Sequence, residues 1–393
     1  MSEADENTTV LIVGAGVAGL TLGTFLLRNG IDCIILERRS REYAEQRQRA
    51  GVIDTHAVRM FRSWGLEERV VGGVVIGAVR NFRIGGELRP MEFKADDHGD
   101  GRYCPQQVLV RNLIDVFVSD GGDLRFDAEV SALEDILAEE RAVVRYRDEA
   151  GSTRTVRCEF VAGCDGDRGV SRTAIPSESI TRYAHEYGYA WLVILADVPP
   201  ATQLMAIHER GFAAQFPRGP QASRFYLQVP LDTETSEWPD ERIWEELETR
   251  LEEPMRRGPI AELTVVPLRS VVYSPMNYGR LYLLGDSAHI IPPMSAKGMN
   301  LALHDAEAFA NAVVRHQSED HDSSLLESYS TTCLRHIWNY QSFATWWTEM
   351  VHNAGDASYE GEFRHQAALA DMERLYDSGT ANRLLSEFIS GLL

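Results

Sequence analysis

The stretch from Thr9 to Glu37 restricts this chain more than any other. A β-branched apolar run, Thr9 to Val13, enters Gly14-Ala15-Gly16-Val17-Ala18-Gly19. Leu20 to Leu27 then has helical spacing, and Cys33 to Leu36 is a second apolar run ending in Glu37. That order specifies a strand–helix–strand unit folded about a glycine turn. The three glycines act differently. Gly14 makes the turn, Gly16 lets the backbone approach a pyrophosphate, and Gly19 lets the helix pack on the strand. The helix start at Val17 and Ala18 presents amides and partial positive charge to phosphates. Glu37 is placed to accept from ribose hydroxyls. The motif predicts a dinucleotide site without separating FAD from NAD.

Composition limits what surrounds that unit. The 393 residues, 44% of them hydrophobic, suffice for one large or two modest domains that enclose a ligand. Fifty-nine acidic against thirty-nine basic side chains give a net charge of −20. Such a field repels nucleic-acid and lipid phosphates, so neither nucleic acid nor membrane is an expected partner. An anionic substrate would need a local basic anchor. The acidic start, Met1 to Glu6, is unlike a signal peptide, and no run has the length of a membrane span. The five cysteines are scattered, with neither CxxC nor metal-ligand spacing. We therefore expect no metal site, thiols packed as small apolar groups, and a cytoplasmic protein.

Further along, segments 74–95 and 181–267 are rich in strand patterns, for example Tyr189 to Leu195 and Arg224 to Val229. A helix is expected between Trp238 and Glu252, started by Pro239-Asp240. A strand at Leu281–Leu284 leads into Gly285-Asp286, and from about Ala302 the pattern is helical, with Trp338, Phe343, Trp346 and Trp347 recurring on a face. The expected architecture is α/β: a Rossmann-like domain (1–73, 97–180, 268–320) interrupted by a mixed-sheet substrate domain (74–96, 181–267), then C-terminal helices (321–393).

Two later segments carry a family resemblance. Cys164-Asp165-Gly166-Asp167-Arg168-Gly169 resembles the DG segment of group A flavoprotein monooxygenases, and Gly285-Asp286-Ser287-Ala288-His289 resembles their second FAD fingerprint. Ile291 to Leu301, including Lys297, Gly298, Met299 and Asn300, resembles the loop and helix start beside the flavin. The pattern is most similar to the 4-hydroxybenzoate-hydroxylating branch. The resemblance implies FAD as cofactor, with NADPH or NADH and O2 as cosubstrates. It further implies hydroxylation of a small aromatic acid through a C4a-hydroperoxyflavin, and a homodimer. Arg49 and Gln106 would lie by the flavin diphosphate and ribityl chain, with Asp165 and Asp286 also on the cofactor. Arg224, Pro293 and Asn300 would have catalytic roles. Arg269 matches a nicotinamide-coenzyme contact, as would Arg38 and Arg49, while Arg168 departs from the family's histidine. The cluster Arg38, Arg39, Arg41 and Tyr43 suits the extra phosphate of NADPH, although a solvent-facing helix would read the same way.

For the substrate, the resemblance places Arg218 at the carboxylate, Tyr226 beside it, and Phe216 where the family has a serine. Met205 and Ile389 would replace two relay tyrosines and Val75 a relay histidine, so a proton relay through the protein is expected to be absent. An amino group donates electrons to a ring without deprotonation. The candidates are therefore 4-hydroxybenzoate and an amino-substituted relative such as 3-amino-4-hydroxybenzoate. His289 is expected to bond locally rather than move protons, and Lys297 either binds an anion or stands exposed near the flavin. The alternative is a flavin-binding redox or halogenase-like protein without aromatic hydroxylation.

Overall fold

The computed structural model describes residues 6–46, 51–77, 79–93, 100–199, 202–352 and 361–392. Its first sheet grows from the opening strand–helix–strand unit. Strand Glu6–Val13 lies parallel between Cys33–Leu36 and Thr153–Gly163. Asp123–Arg125 and Leu281–Leu283 extend the parallel run on either side. Strands covered on both faces need no polar alternation, and Val10–Val13 and Cys33–Leu36 are buried throughout. Register aligns the strand ends. Val13 pairs with both Leu36 and Gly163, and Gly163 pairs with Leu283, so these strands stop in one row. Beyond the carboxyl ends of such a sheet is where ligands bind.

The second sheet is mainly antiparallel. Thr181–Ala196 lies between Ile260–Ser274 and Ser223–Pro230, with Ala213–Pro217, Leu204–Ile207, Val79–Ile84 and Glu87–Glu92 next in order. Its faces separate with period two. Leu192, Ile194, Leu204, Phe225 and Leu227 pack with Trp244 and Leu247 into a core of their own. Trp191, Met205 and Ala214 turn the other way, into the core shared with the first sheet. A slip of one residue would exchange the two faces, which pins the register. Strand Ile260–Ser274 continues past residue 267, and Val74–Val75 pairs with Arg102–Tyr103 rather than joining this sheet.

The expected helix after Trp238 runs from Asp240 to Leu251, with Pro239 as its N-cap. The C-terminal helices are Gly298–His316, Ser324–Val351, Gly361–Asp377 and Gly379–Ser390. One expectation there fails: Phe343 and Trp347 are buried, but Trp338 is 43% exposed and packs edge-on against Tyr183. Phe343 and Trp347 are four residues apart and share a face, whereas Trp338 precedes Phe343 by five, about 140° round the helix. All five cysteines are buried and unpaired. Among the described residues no helix is long and apolar enough to cross a membrane.

Candidate active site

The three fingerprints, far apart in sequence, touch at the row of strand ends. Gly14 has φ +103°, and a Cβ there would stand 2.6 Å from the Cys164 carbonyl oxygen. A Cβ on Gly19 would stand 2.1 Å from the Gly14 oxygen. Gly285, at φ +63°, sits where a Cβ would meet Ala302 at 3.1 Å and Ala18 at 3.7 Å, in the crossing of helices Val17–Arg28 and Gly298–His316. Ser287 Oγ donates to the Gly163 carbonyl at 2.5 Å and accepts from Leu284 N at 3.1 Å. Arg172 donates to the Ser287 carbonyl at 2.9 Å, latching the end of the DG segment, second of the three fingerprints in chain order, to the Gly285-Asp286 segment, the third. Asp165 Oδ2 accepts from Ser171 N and Oγ, at 2.9 and 3.0 Å, while its Oδ1 is buried without a partner. Burial pushes this carboxyl above its ordinary value.

This edge fits a dinucleotide. Helix Val17–Arg28 begins at Gly16 with no side-chain cap and no acid in its first turn, and helix Gly298–His316 begins at Lys297, also without a side-chain cap. Uncapped helix amides beside a turn that excludes a Cβ suit a diphosphate. Glu37 Oε2 accepts from Ala15 N at 2.8 Å and Oε1 from Arg39 N at 2.9 Å, which leaves further lone pairs for ribose hydroxyls. Asp286 is half-buried at the same edge. A Cβ on Gly51 would stand 1.9 Å from the Cys104 oxygen and 2.8 Å from Gln106 N, so this segment lies against the start of helix Gln106–Ser119. Arg49 lies outside the described residues.

The coenzyme candidates are spread over the surface. Arg38 is exposed, and Arg39 lies 5.2 Å over the Tyr43 ring. Arg41 is already paired, with Glu45 at 2.6 Å and Asp115 at 2.7 Å. Arg168 is exposed, and Arg269 donates to Asp167 at 2.5 Å.

On the inward face of the second sheet, Arg224 stands opposite Leu195 and Phe216. It is only 7% exposed, and its Nε has no hydrogen-bond partner. Arg218 follows strand Ala213–Pro217 at the hairpin, where its N–H meets the Ala222 carbonyl at 2.9 Å. Burial, and then the neighbouring charge of Arg224, hold its guanidinium below the usual value. Among the described residues neither arginine has a carboxylate partner. In a chain of net charge −20, two neighbouring guanidiniums without a carboxylate suit an anion. Tyr226 packs edge-on against Phe216, 5.8 Å between centroids, and 4.7 Å from Trp191. Met205 is buried between Ala214 and Phe82. The Pro293 carbonyl accepts from Ala296 N at 3.0 Å and keeps its second lone pair.

Lys297 is not exposed, and the anion it binds is a carboxylate of the protein itself. It is 2% exposed, and its Nζ donates to Asp54 Oδ2 at 2.6 Å and to the Ile389 carbonyl at 2.9 Å. Burial lowers its pKa and Asp54 opposes that shift. Asn300 spends its side chain on backbone: Oδ1 accepts from Asp54 N at 3.0 Å, and Nδ2 donates to Val52 and Ala296 carbonyls at 2.9 and 3.1 Å. What Gly298, Met299 and Asn300 can offer a cofactor together is main-chain amides. Asp54 escaped the sequence reading. Its N-cap bond to Ala57 N, 3.0 Å, was discoverable from Asp54 preceding a helical pattern, but its pairing with Lys297 was not. His289 Nε2 lies 2.7 Å from Asp305 Oδ2, both fully enclosed. Val75 is 56% exposed, and Ile389 is half-buried.

Comparisons with known proteins agree with this geometry. The family described as FAD binding domain matches residues 7–344. The chain is 32% identical to the p-hydroxybenzoate hydroxylase of Acinetobacter baylyi, over 98% of this chain and 95% of the relative. It is 26% identical to a probable NADH-specific resorcinol 4-hydroxylase of Rhodococcus jostii, over 84% of this chain and 62% of that one. In fold it resembles p-nitrophenol 4-monooxygenase of Pseudomonas putida, at TM-score 0.81 and 18% identity, covering 98% and 99% of the two chains. Anhydrotetracycline hydroxylase of Streptomyces rimosus gives TM-score 0.77 at 21% identity, covering 98% and 76%. With uncapped helix starts, close-packed glycines and an orphaned carboxylate oxygen converging on one edge, the chain belongs to the FAD-binding flavoprotein aromatic hydroxylases and is an FAD-dependent aromatic monooxygenase.

Proposed function

We propose that this enzyme hydroxylates a small benzoate bearing a ring amine or hydroxyl, using NADPH and O2. The observation that carries this reading is the Arg218–Arg224 pair, a half-buried and a buried cation with no carboxylate among the described residues. A bidentate bond from Arg218 to the substrate carboxylate supplies the missing counter-charge and fixes the ring in the plane of its guanidinium. Tyr226 stands next to it. Arg224 serves the negative charge that develops when the flavin is reduced. Bound FAD supplies the reduction by nicotinamide and the activation of O2. Met205 and Phe216 give the ring apolar neighbours and help exclude water. The second lone pair of the Pro293 carbonyl takes a hydrogen bond from the ring amine or hydroxyl.

Apolar groups at Met205, Val75 and Ile389 favour a donor that needs no deprotonation, hence an amino-substituted ring such as 3-amino-4-hydroxybenzoate alongside 4-hydroxybenzoate. Arg38, free of the pairing that occupies Arg41, is our candidate for the extra phosphate of NADPH. The protein acts as a homodimer in the cytoplasm on this reading. The test is substrate-dependent NADPH oxidation, with product mass, over a panel of amino- and hydroxybenzoates. An oxygen inserted into the aminated ring supports the assignment. Efficient turnover of 4-hydroxybenzoate alone counts against the amino preference, and turnover of rings without a carboxylate counts against Arg218 as anchor. Equal kcat/KM for NADH removes the coenzyme assignment, and a monomer in sedimentation removes the dimer.

A further inference from the structure

Helices Gly298–His316 and Ser324–Val351 pack together beside the third fingerprint, and their join gathers side chains that the flavin reading leaves unused. One donor atom each from His304, Asp305 and Cys333 lie within 4.8 Å of one another. Asp305 is fully buried and divided in its bonding: Oδ2 meets His289 Nε2 at 2.7 Å and accepts from Gly285 N at 2.9 Å, while Oδ1 has no hydrogen-bond partner. His304 Nδ1 is likewise buried and unpartnered. Buried polar atoms are almost always satisfied, and here two belong to residues that each bring a donor atom within 4.8 Å of the Cys333 sulfur, with Asp305 close enough to act on the thiol.

We propose that His304, Asp305 and Cys333 bind a thiophilic divalent cation of the zinc class. The donor set is mixed nitrogen, oxygen and sulfur, the combination zinc-like ions take. Charge closes as well: a neutral imidazole, a carboxylate and a thiolate balance a 2+ ion, leaving no net charge between the helices. An ion central to three donors no more than 4.8 Å apart lies within about 2.8 Å of each. Small side-chain rotations then reach the ~2.0–2.3 Å of zinc ligation. A water completes the shell, since the His336 ring, stacked on His304 at 3.9 Å, keeps its nitrogens in a parallel plane. Entry is from solvent past His304 and His336, both half-buried, and the more exposed His56, 6.2 Å from His304. Burial, with the Asp305 charge beside it, pushes the Cys333 thiol well above its ordinary value, so only an ion with strong affinity for sulfur displaces its proton. On binding, the S–H proton leaves to solvent, a sulfur–metal bond forms, and no electrons transfer. Because Asp305 Oδ2 holds Gly285 N–H, an ion on Oδ1 stands one carboxylate away from the third fingerprint.

The test is cadmium titration of chelator-treated, FAD-loaded enzyme, with ultraviolet difference spectroscopy of the thiolate-to-cadmium charge-transfer band. We expect the band to saturate at one ion per chain and to be competed away by zinc. Cys333→Ala should abolish it, and His304→Gln should weaken binding by about tenfold or more. An unchanged flavin spectrum in each variant reports that the fold and the cofactor site are intact. No band in the wild type at saturating cadmium overturns the proposal, as does an undiminished band in Cys333→Ala. Should Cys333→Ala fail to fold, the wild-type titration and His304→Gln decide the matter, and unaltered affinity in His304→Gln overturns it.

Discussion

Replacing Asp54 with asparagine isolates the energetics of the buried Lys297 charge. In the native protein the Lys297 ammonium has two acceptors, Asp54 Oδ2 at 2.6 Å and the Ile389 carbonyl at 2.9 Å. Asparagine can still accept from Ala57 N, so the helix cap, worth about 1 kcal/mol, is retained. The counter-charge is lost. Stranding a buried charge in this way costs about 3–5 kcal/mol, against a total stability of about 5–15 kcal/mol. The pH response has a definite sign. Burial already lowers the Lys297 pKa, and Asp54 is the group that opposes it. Without Asp54 the folded state binds fewer protons than the unfolded chain, whose lysines titrate at about 10.4. The variant therefore gains stability as pH rises toward that value, by up to about 1.4 kcal/mol per pH unit once the folded lysine is neutral. Urea unfolding of FAD-loaded protein at about pH 7 and about pH 9 measures both effects. A loss of about 3–5 kcal/mol that shrinks at the higher pH is expected. Adding Lys297→Met should restore much of the loss, because an apolar replacement for a buried pair is close to neutral. A variant within about 1 kcal/mol of wild type at both pH values would refute the argument, as would additive single and double substitutions.

Gly14→Ala combines a left-handed backbone with a Cβ 2.6 Å from the Cys164 oxygen; we expect a cost of about 2–5 kcal/mol and a purified protein depleted in flavin, read from its visible absorbance. Arg218→Met should raise KM for carboxylated rings by about 10–100-fold, the scale of a lost charged hydrogen bond, with the flavin spectrum unchanged. Arg224→Met should slow flavin reduction in stopped-flow absorbance by roughly 10–1,000-fold while changing substrate affinity much less; the reverse pattern would place Arg224 on the substrate. Asn300→Ala removes an acceptor from Asp54 N and donors from two carbonyls, so a loss of about 2–4 kcal/mol in denaturant unfolding is expected.

Much of the cofactor site was legible in the residues themselves. Gly14, at φ +103°, and Gly19, where a Cβ would stand 2.1 Å from the Gly14 oxygen, meet local steric demands that only glycine satisfies, and such demands are written into contiguous residues. Apolar, β-branched and aromatic runs such as Tyr189 to Leu195 likewise exposed strands of the second sheet, and helical spacing the C-terminal region. Local patterns failed where outcome depended on phase or on distant neighbours. Trp338 looks like its aromatic neighbours in the sequence yet faces outward. Lys297 and Asn300 were placed correctly beside the helix start, but their side chains are consumed by Asp54 and by the backbone at Val52 and Ala296. Arg269 carries no sign in the sequence that Asp167 already holds it.

Sequence alone determined the strand–turn–helix geometry of the first fingerprint, because backbone sterics act over a few residues. Tertiary structure alone decided which charges are compensated and which are not. Among the described residues Arg218 and Arg224 have no carboxylate partner, Lys297 finds Asp54 from 243 positions away, and His304, Asp305 and Cys333 converge from two helices. Electrostatic pairing and donor convergence depend on distance in space, and spacing along the chain does not encode it.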